Sequence, residues 1–414
     1  MLTYLFLACL ISDLLIRYWL ARRQIRHVQA HRNQVPPAFE GHIGLHSHQR
    51  AADYTVARSQ LSMIERITEA GILLGFTLLG GLQALDIHLG RLIESDLLRQ
   101  LALMGCVLAI LGVVGLAFSA WRTFHLEAHY GFNRMTPRLF VSDALKMVLI
   151  TTVLGAPLLA AILWIMGTTG TDWAWWAWGV WVGFNLLVLW LYPSFIAPLF
   201  NRFSPLDDPE LSQRIHALAK RCHFGLSGLF VMDGSRRSAH GNAYFTGFGR
   251  HRRIVFFDTL LSRLDADEVE AVLAHELGHF AHHHILRRII VSFITAGIFL
   301  QLLAWLSTQL WFYTGLGVIP QLGRANDGLA LVLFMLTLPV FTFWATPLAS
   351  FLSRRDEFQA DRYAVQQCGA QPLASALVKL YDDNAATLTP DPLHSAWYDS
   401  HPSAAVRINH LQHG

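Results

Sequence analysis

The stretch "VEAVLAHELGHFAHHH", residues 269–284, gathers five histidines inside a run that otherwise reads as helix. His275 and His279 are four apart, so on a helix both rings leave from one face and can take adjacent vertices of a tetrahedral metal site. Glu276 follows His275 directly, where a carboxylate can hold an attacking water and accept its proton. The plainer reading is surface histidines, in a chain that has 21 of them. Against it stands the start of the helix, "LDADEVE", where Asp265 precedes Glu268 by three residues in a capping-box arrangement and sets the phase of the motif.

Two ligands on one helix cannot enclose an ion, so a third must come from another element. His282 lies on the same helix, too close in direction to His275 and His279 to complete a tetrahedron. A longer motif with a downstream Gly and His is absent, because His282 and Ile285 stand where it would need them. "SRRDEFQADRYAVQQCG", residues 353–369, reads as a second helix ending at Gly369 and offers Glu357, with Asp361 one turn on to orient a ligating imidazole. Spacing alone leaves Asp356 and His401 as rivals of Glu357.

The chain has 414 residues, of which 53% are hydrophobic and 15% charged, too little charge to cover a water-soluble globule. Stretches near 1–20, 67–85, 101–120, 148–168, 173–195, 289–314 and 328–350 approach the roughly 20 apolar residues that span a bilayer. The first lacks the basic leader and small-residue cleavage site of a signal peptide, and its Asp13 and Arg17, one turn apart, can pair toward a bundle interior. Of the 32 Lys and Arg, 29 lie in segments 17–66, 121–147, 196–288 and 351–414. That asymmetry predicts seven spans, with the N-terminus outside and the C-terminus and large polar segments in the cytosol.

The predicted organisation is therefore mainly α and integral to a membrane. Residues 1–195 hold spans one to five with cytosolic loops 21–66 and 121–147. Residues 196–288 form a small cytosolic α/β domain, 289–350 hold spans six and seven, and 351–414 form a cytosolic C-terminal part. Within the α/β domain, Leu211, Ile215, Leu218 and Ala219 mark a helix, while "GLFVMDG" and "HRRIVFFDTLL" read as strands flanking "NAYFTGFG". A further helix is expected near 372–386. His27, His31, His42, His46 and His48 are irregularly spaced and read as a solvated loop. Cys9, Cys106, Cys222 and Cys368 form neither a disulfide framework nor a CxxC motif. With a formal charge of +3 and no basic stripe, nucleic acid is not an expected partner.

"HELGH", "SRRDEFQAD", "SHPSAAVR", "AHGNAYFTGFG" and "HYGFNRMTPRLFVSDALK" together resemble the type I CAAX prenyl protease family of integral-membrane zinc endopeptidases, over nearly the whole chain. The resemblance implies one Zn2+ per chain held by His275, His279 and Glu357, with Glu276 as base and Asp361 behind the ligands. It also implies His401 and Arg407 in the active site, His401 stabilising the oxyanion, and Arg407 either binding a substrate carboxylate or bracing His401. Asn242 and Ala243, on an edge strand, would hold the substrate peptide. Seven helices would enclose a water-filled chamber, and the zinc domain would close its cytosolic side.

Eukaryotic members of that family release the last three residues of prenylated proteins. A bacterial owner, in its inner membrane, would lack that substrate, whereas a eukaryotic one would place the enzyme in the endoplasmic reticulum. A membrane quality-control protease of the same zinc clan is a second reading, and a monomer in the bilayer is the expected state. A transporter or channel with a structural metal site, its path marked by Asp13, Arg17, Asp143 and Lys146, is a third. The absence of an internal repeat weighs against it.

Overall fold

The computed structural model describes residues 1–246 and 252–413. Gly247, Phe248 and Gly249 of "AHGNAYFTGFG" and His251 of "HRRIVFFDTLL" lie outside the described residues. The first half runs through α1 (Leu2–Ala30), α2 (Leu45–Phe76), α3 (Gly81–Leu92), α4 (Asp96–Trp121), α5 (Pro137–Thr168), α6 (Trp173–Leu191) and the short α7 (Ala197–Phe200). Helices α4 and α6 each continue into a π-helical stretch, Arg122–Glu127 and Tyr192–Ile196.

Helix α5 shows why these elements form. Thr136 accepts a hydrogen bond from Leu139 N at its start, and Pro137 occupies the first turn, where its missing N–H costs nothing. Its face carrying Val141, Leu145, Val148, Leu149 and Val153 is more than half exposed at every one of these positions. A continuous apolar surface of that length requires lipid. Six helices among the described residues are long and apolar enough to cross a membrane, and a seventh span results if α2 and α3 count as one broken helix.

That break corrects the expected second span. The stretch 67–85 is not one rod: α2 ends at Phe76 and the chain bends by 51° before α3. Gly317 (φ +80°) fits against the break, and a Cβ there would stand 2.8 Å from the Cα of Leu78 and from the Thr77 carbonyl oxygen. The segments 21–66 and 121–147 are also helical for most of their length, because α1 persists to Ala30, α2 starts at Leu45 and α5 starts at Pro137. Of the scattered histidines, His48 is buried and meets the His31 carbonyl at 2.9 Å.

The second half begins with β1 (Phe203–Pro205), α8 (Pro209–Arg221), β2 (Leu226–Met232), β3 (Ala243–Thr246), β4 (Arg252–Phe257), α9 (Asp258–Leu261) and α10 (Ala266–Ala281). The sheet order is β1-β2-β4-β3, with β2 and β4 parallel and both outer strands antiparallel, so β3 is an edge strand. Leu211, Ile215, Leu218 and Ala219 of α8 are all buried in the core beneath this sheet, as their spacing predicts. The chain then continues through α11 (His284–Ser307), α12 (Leu310–Gly315), α13 (Asp327–Thr342), α14 (Thr346–Cys368), α15 (Ala370–Asp383), α16 (Pro392–Tyr398) and α17 (Ala404–His413). A cavity of about 1130 Å³ opens between α1, α2, the start of β3 and the segment 384–403.

Candidate metal centre

Helix α10 is held at both ends. Asp265 and Glu268 form the reciprocal capping box, and Glu268 also accepts from Ser375 Oγ at 2.6 Å and Lys379 Nζ at 2.7 Å, which ties its first turn to α15. Further along, Gly278 lets α14 pack against it closely. A Cβ at Gly278 would stand 2.9 Å from the Ala360 Cα and 3.1 Å from the Ala360 carbonyl oxygen, closer than packed atoms tolerate. That backbone approach carries Glu357, one turn before Ala360, to the two histidines on α10.

The three donors converge. His275 Nε2 and His279 Nε2 lie 3.3 Å apart, and the Glu357 carboxylate faces both, its Oε2 3.4 Å from His275 Nε2 and its Oε1 3.4 Å from His279 Nε2. A tetrahedral ion with ligand bonds of about 2.05 Å requires donor separations of about 3.3 Å. The three side chains are buried, and Glu357 Oε2 has no hydrogen-bond partner among the described residues, a cost that a cation at the centre removes. Two imidazoles and a carboxylate in this arrangement fit a divalent metal with one position open.

Two different supports stand behind the histidines. His275 Nδ1 meets Asp361 at 2.8 Å, and Asp361 in turn accepts from Arg407 Nε at 3.0 Å and Nη2 at 2.5 Å. Burial works against a charged His275, but its contacts to Asp361 and Glu357 outweigh that and push the metal-free imidazole up to about 9. His279 Nδ1 instead faces His284 Nδ1 at 2.9 Å. His401 Nε2 lies 3.4 Å from Glu357 Oε1, and 60% of its side chain is open to the cavity. Protein walls around that opening lower its pKa by desolvation. Glu276 is half-buried, with no ion pair or hydrogen bond among the described residues.

Of the site residues expected from sequence, His275, His279, Glu357, Asp361, Arg407 and His401 share one cluster. Asn242 lines the same cavity as His401, and its Oδ1 accepts from the Ala243 N–H at 2.8 Å, shaping the entry to edge strand β3. Of the rival ligands, His401 stays in the cluster beside Glu357, whereas His282 and Asp356 lie outside it. His282 is exposed, and Asp356 pairs with Arg287 and, at 3.6 Å, with Arg288. The groups that would mark a transport path are also paired: Arg17 with Asp13 at 2.7 Å and Arg237 with Asp143 at 2.9 Å, while Lys146 donates to the Leu199 carbonyl at 2.8 Å.

Sequence reasoning missed the His284 contact, because α10 ends at Ala281 and His283 turns the chain at φ +55°, which no helical spacing anticipates. It also missed α2 as a cavity wall, through Tyr54, Arg58, Ser62 and Arg66. Their i, i+4 stripe was the available signal.

Comparison with known proteins divides the chain in two. A family described as "CAAX prenyl protease N-terminal, five membrane helices" matches residues 24–202, and "Peptidase family M48" matches residues 205–414. The chain is similar to "CAAX prenyl protease 1 homolog" of Arabidopsis thaliana, 37% identical over 76% of this chain and 74% of the relative. It is 31% identical to "CAAX prenyl protease 1" of Saccharomyces cerevisiae over 92% of this chain and 89% of the relative. The crystal structure of S. mikatae Ste24p superposes with a TM-score of 0.93 at 30% identity, covering 100% of this chain and 99% of that one.

Proposed function

The chain belongs to the CAAX prenyl protease 1 family of M48 metallopeptidases, and from that premise we propose that its metal is zinc and that it cleaves prenylated protein C-termini inside the membrane-facing cavity. It is an integral multi-pass membrane peptidase. The observation that carries the zinc reading is the 3.3–3.4 Å spacing of His275 Nε2, His279 Nε2 and the Glu357 oxygens. Zinc, when bound, supplies Lewis-acid polarisation of a carbonyl and makes a water acidic near neutral pH.

The remaining chemistry belongs to side chains. Glu276, next to His275 and free of competing partners among the described residues, holds the attacking water, takes its proton and returns it to the departing amine. His401 is open to the cavity and donates to the carbonyl oxygen as it becomes anionic. Arg407 is buried and committed to Asp361, which supports a role in bracing Asp361 and through it His275, in place of the expected brace on His401, and weighs against binding the substrate carboxylate. The free edge of β3, entered through Asn242 and Ala243, pairs with an extended substrate and lays its scissile bond across the site.

The distribution of basic residues supports a site on the cytosolic face and an N-terminus outside. Which membrane follows from the source: endoplasmic reticulum in a eukaryote, inner membrane in a bacterium. One chain contributes the whole donor set, which supports a functional monomer.

The test uses purified protein in lipid vesicles and a farnesylated peptide ending in three further residues. Wild type should release the tripeptide, and Glu276→Ala should keep its zinc while losing roughly 10²–10⁴-fold in rate. Full proteolysis by Glu276→Ala would end the mechanism. Equal cleavage of the unprenylated peptide and of misfolded membrane protein would move the substrate reading to quality control.

A further inference from the structure

The two metal-facing imidazoles are supported by unlike partners, and one of those partners has no assigned role. His279 presents Nε2 to the donor cluster, so its proton resides on Nδ1. Nδ1 lies 2.9 Å from His284 Nδ1, and a hydrogen bond there requires His284 Nδ1 to accept and its own proton to sit on Nε2. His284 Nε2 then meets Gln359 Oε1 at 2.9 Å, an acceptor that fits that tautomer. The three contacts are mutually consistent in only one direction: His279 donates to His284, and His284 donates to Gln359.

Burial makes the arrangement costly to lose. His284 is 1% exposed, so a ring nitrogen left without a partner would be desolvated with no compensation. The nearest carboxylate, Asp356, is 3.8 Å from His284 Nε2 and is engaged by Arg287 and Arg288. His284 is also the first residue of α11, immediately after the turn at His283. The ring that orients a metal ligand is thus fixed to the start of a candidate membrane span, and Gln359 fixes it from α14, the helix that supplies Glu357.

We propose that His284 is the positioning residue of His279: it accepts the Nδ1–H, locks the tautomer that points Nε2 at the metal, and is itself locked by Gln359. This rests on the ligand set of the proposed function. The role of a neutral acceptor here differs from that of Asp361, whose carboxylate adds charge behind His275. It holds the second imidazole in place without further raising the negative charge of the site.

The experiment compares His284→Leu, His284→Asn and Gln359→Leu in the full chain, with His279→Ala as reference. Rates of zinc loss to a chelator and the absorption bands of the Co2+-substituted protein are read beside thermal unfolding of the metal-free forms. His284→Leu should lose metal about 10–100-fold faster and shift the Co2+ bands. His284→Asn, whose side-chain oxygen can stand where Nδ1 stood, should recover most of both, and Gln359→Leu should show a smaller loss. Wild-type metal retention by His284→Leu, or equal losses from Leu and Asn, would overturn the proposal in favour of packing alone. If His279→Ala itself keeps a full complement of metal, the ligand set is what fails.

Discussion

Two buried polar networks sit at opposite ends of this protein, built from the same materials and arranged to opposite effect. At the end away from the metal centre, Asp86 and Arg99 are both fully buried and paired. Gln321 donates to Asp86 at 2.7 Å, Arg99 donates to the Ala325 carbonyl at 2.5 Å, and Arg324 reaches Asp96 at 3.0 Å and the Glu94 carbonyl at 2.9 Å. Each carboxylate there faces cations and amides that neutralise it on the spot. In the metal centre Asp361 is treated that way by Arg407, yet Glu357 is left facing two imidazoles, its Oε2 beside His275 without a hydrogen-bond partner among the described residues. The atom without a partner among the described residues is in the first network Arg99 Nε, on a cation already paired with Asp86, and in the second a carboxylate oxygen beside two imidazoles, so the first network balances its charges internally and the second leaves a place suited to a cation.

Breaking the Asp86–Arg99 network should give the largest change in stability. Asp86→Ala leaves Arg99 charged and buried, and should cost about 3–5 kcal/mol in unfolding followed in detergent, with metal content per folded molecule unchanged. Replacing both partners together, Asp86→Leu with Arg99→Met, should restore most of that loss. A metal-centre defect in either variant would erase the distinction between the two ends.

The converging network should respond in the reverse sense. Asp361→Asn removes the charge behind His275 and should weaken metal binding by roughly 10–100-fold in competition with a chelator, with a smaller effect on unfolding. Gly278→Ala tests the helix contact instead. The added methyl must push α14 from α10, and about 1–3 kcal/mol of stability should be lost together with metal affinity, because Glu357 moves with α14.

The smallest signal is a proton. Metal-free His275 has its pKa raised from 6.5 to about 9, so at pH 7 it binds a proton that a metal must displace. Zinc uptake at pH 7 should release roughly one proton from this ring, read by calorimetry in buffers of different ionisation heat, and the release should vanish as pH rises past about 9. The sign for the metal-free fold follows: the stabilisation from this raised pKa is complete below the unfolded value and is lost as pH rises through about 9.

Much of the cluster was legible because its parts are local. His275, Glu276 and His279 share one helical face, and the Asp265–Glu268 capping box that starts their helix is present as read. The bend between α2 and α3 was passed over because apolar composition runs straight through residues 67–85, although Gly80-Gly81 marks it locally: Gly80 sits at φ +79° before α3, and Gly317 then packs against the break from a distant loop. The choice among Glu357, Asp356 and His401 was not legible. Adjacent carboxylates on one helix look alike in sequence and differ only in what their helix is packed against.

By itself the sequence determined what depends on short spacing and on solvent preference: apolar spans, a capped helix, two imidazoles on one face, and an amphipathic α8 that buries its marked residues. Tertiary structure decided what depends on distance between elements. The approach of α14 over Gly278 selected the third donor, the turn at His283 brought His284 to His279, and the pairing of α2 with the catalytic half gave the cavity its wall. Periodicity carries information over a few residues, whereas these contacts are set by how closely two backbones can pack.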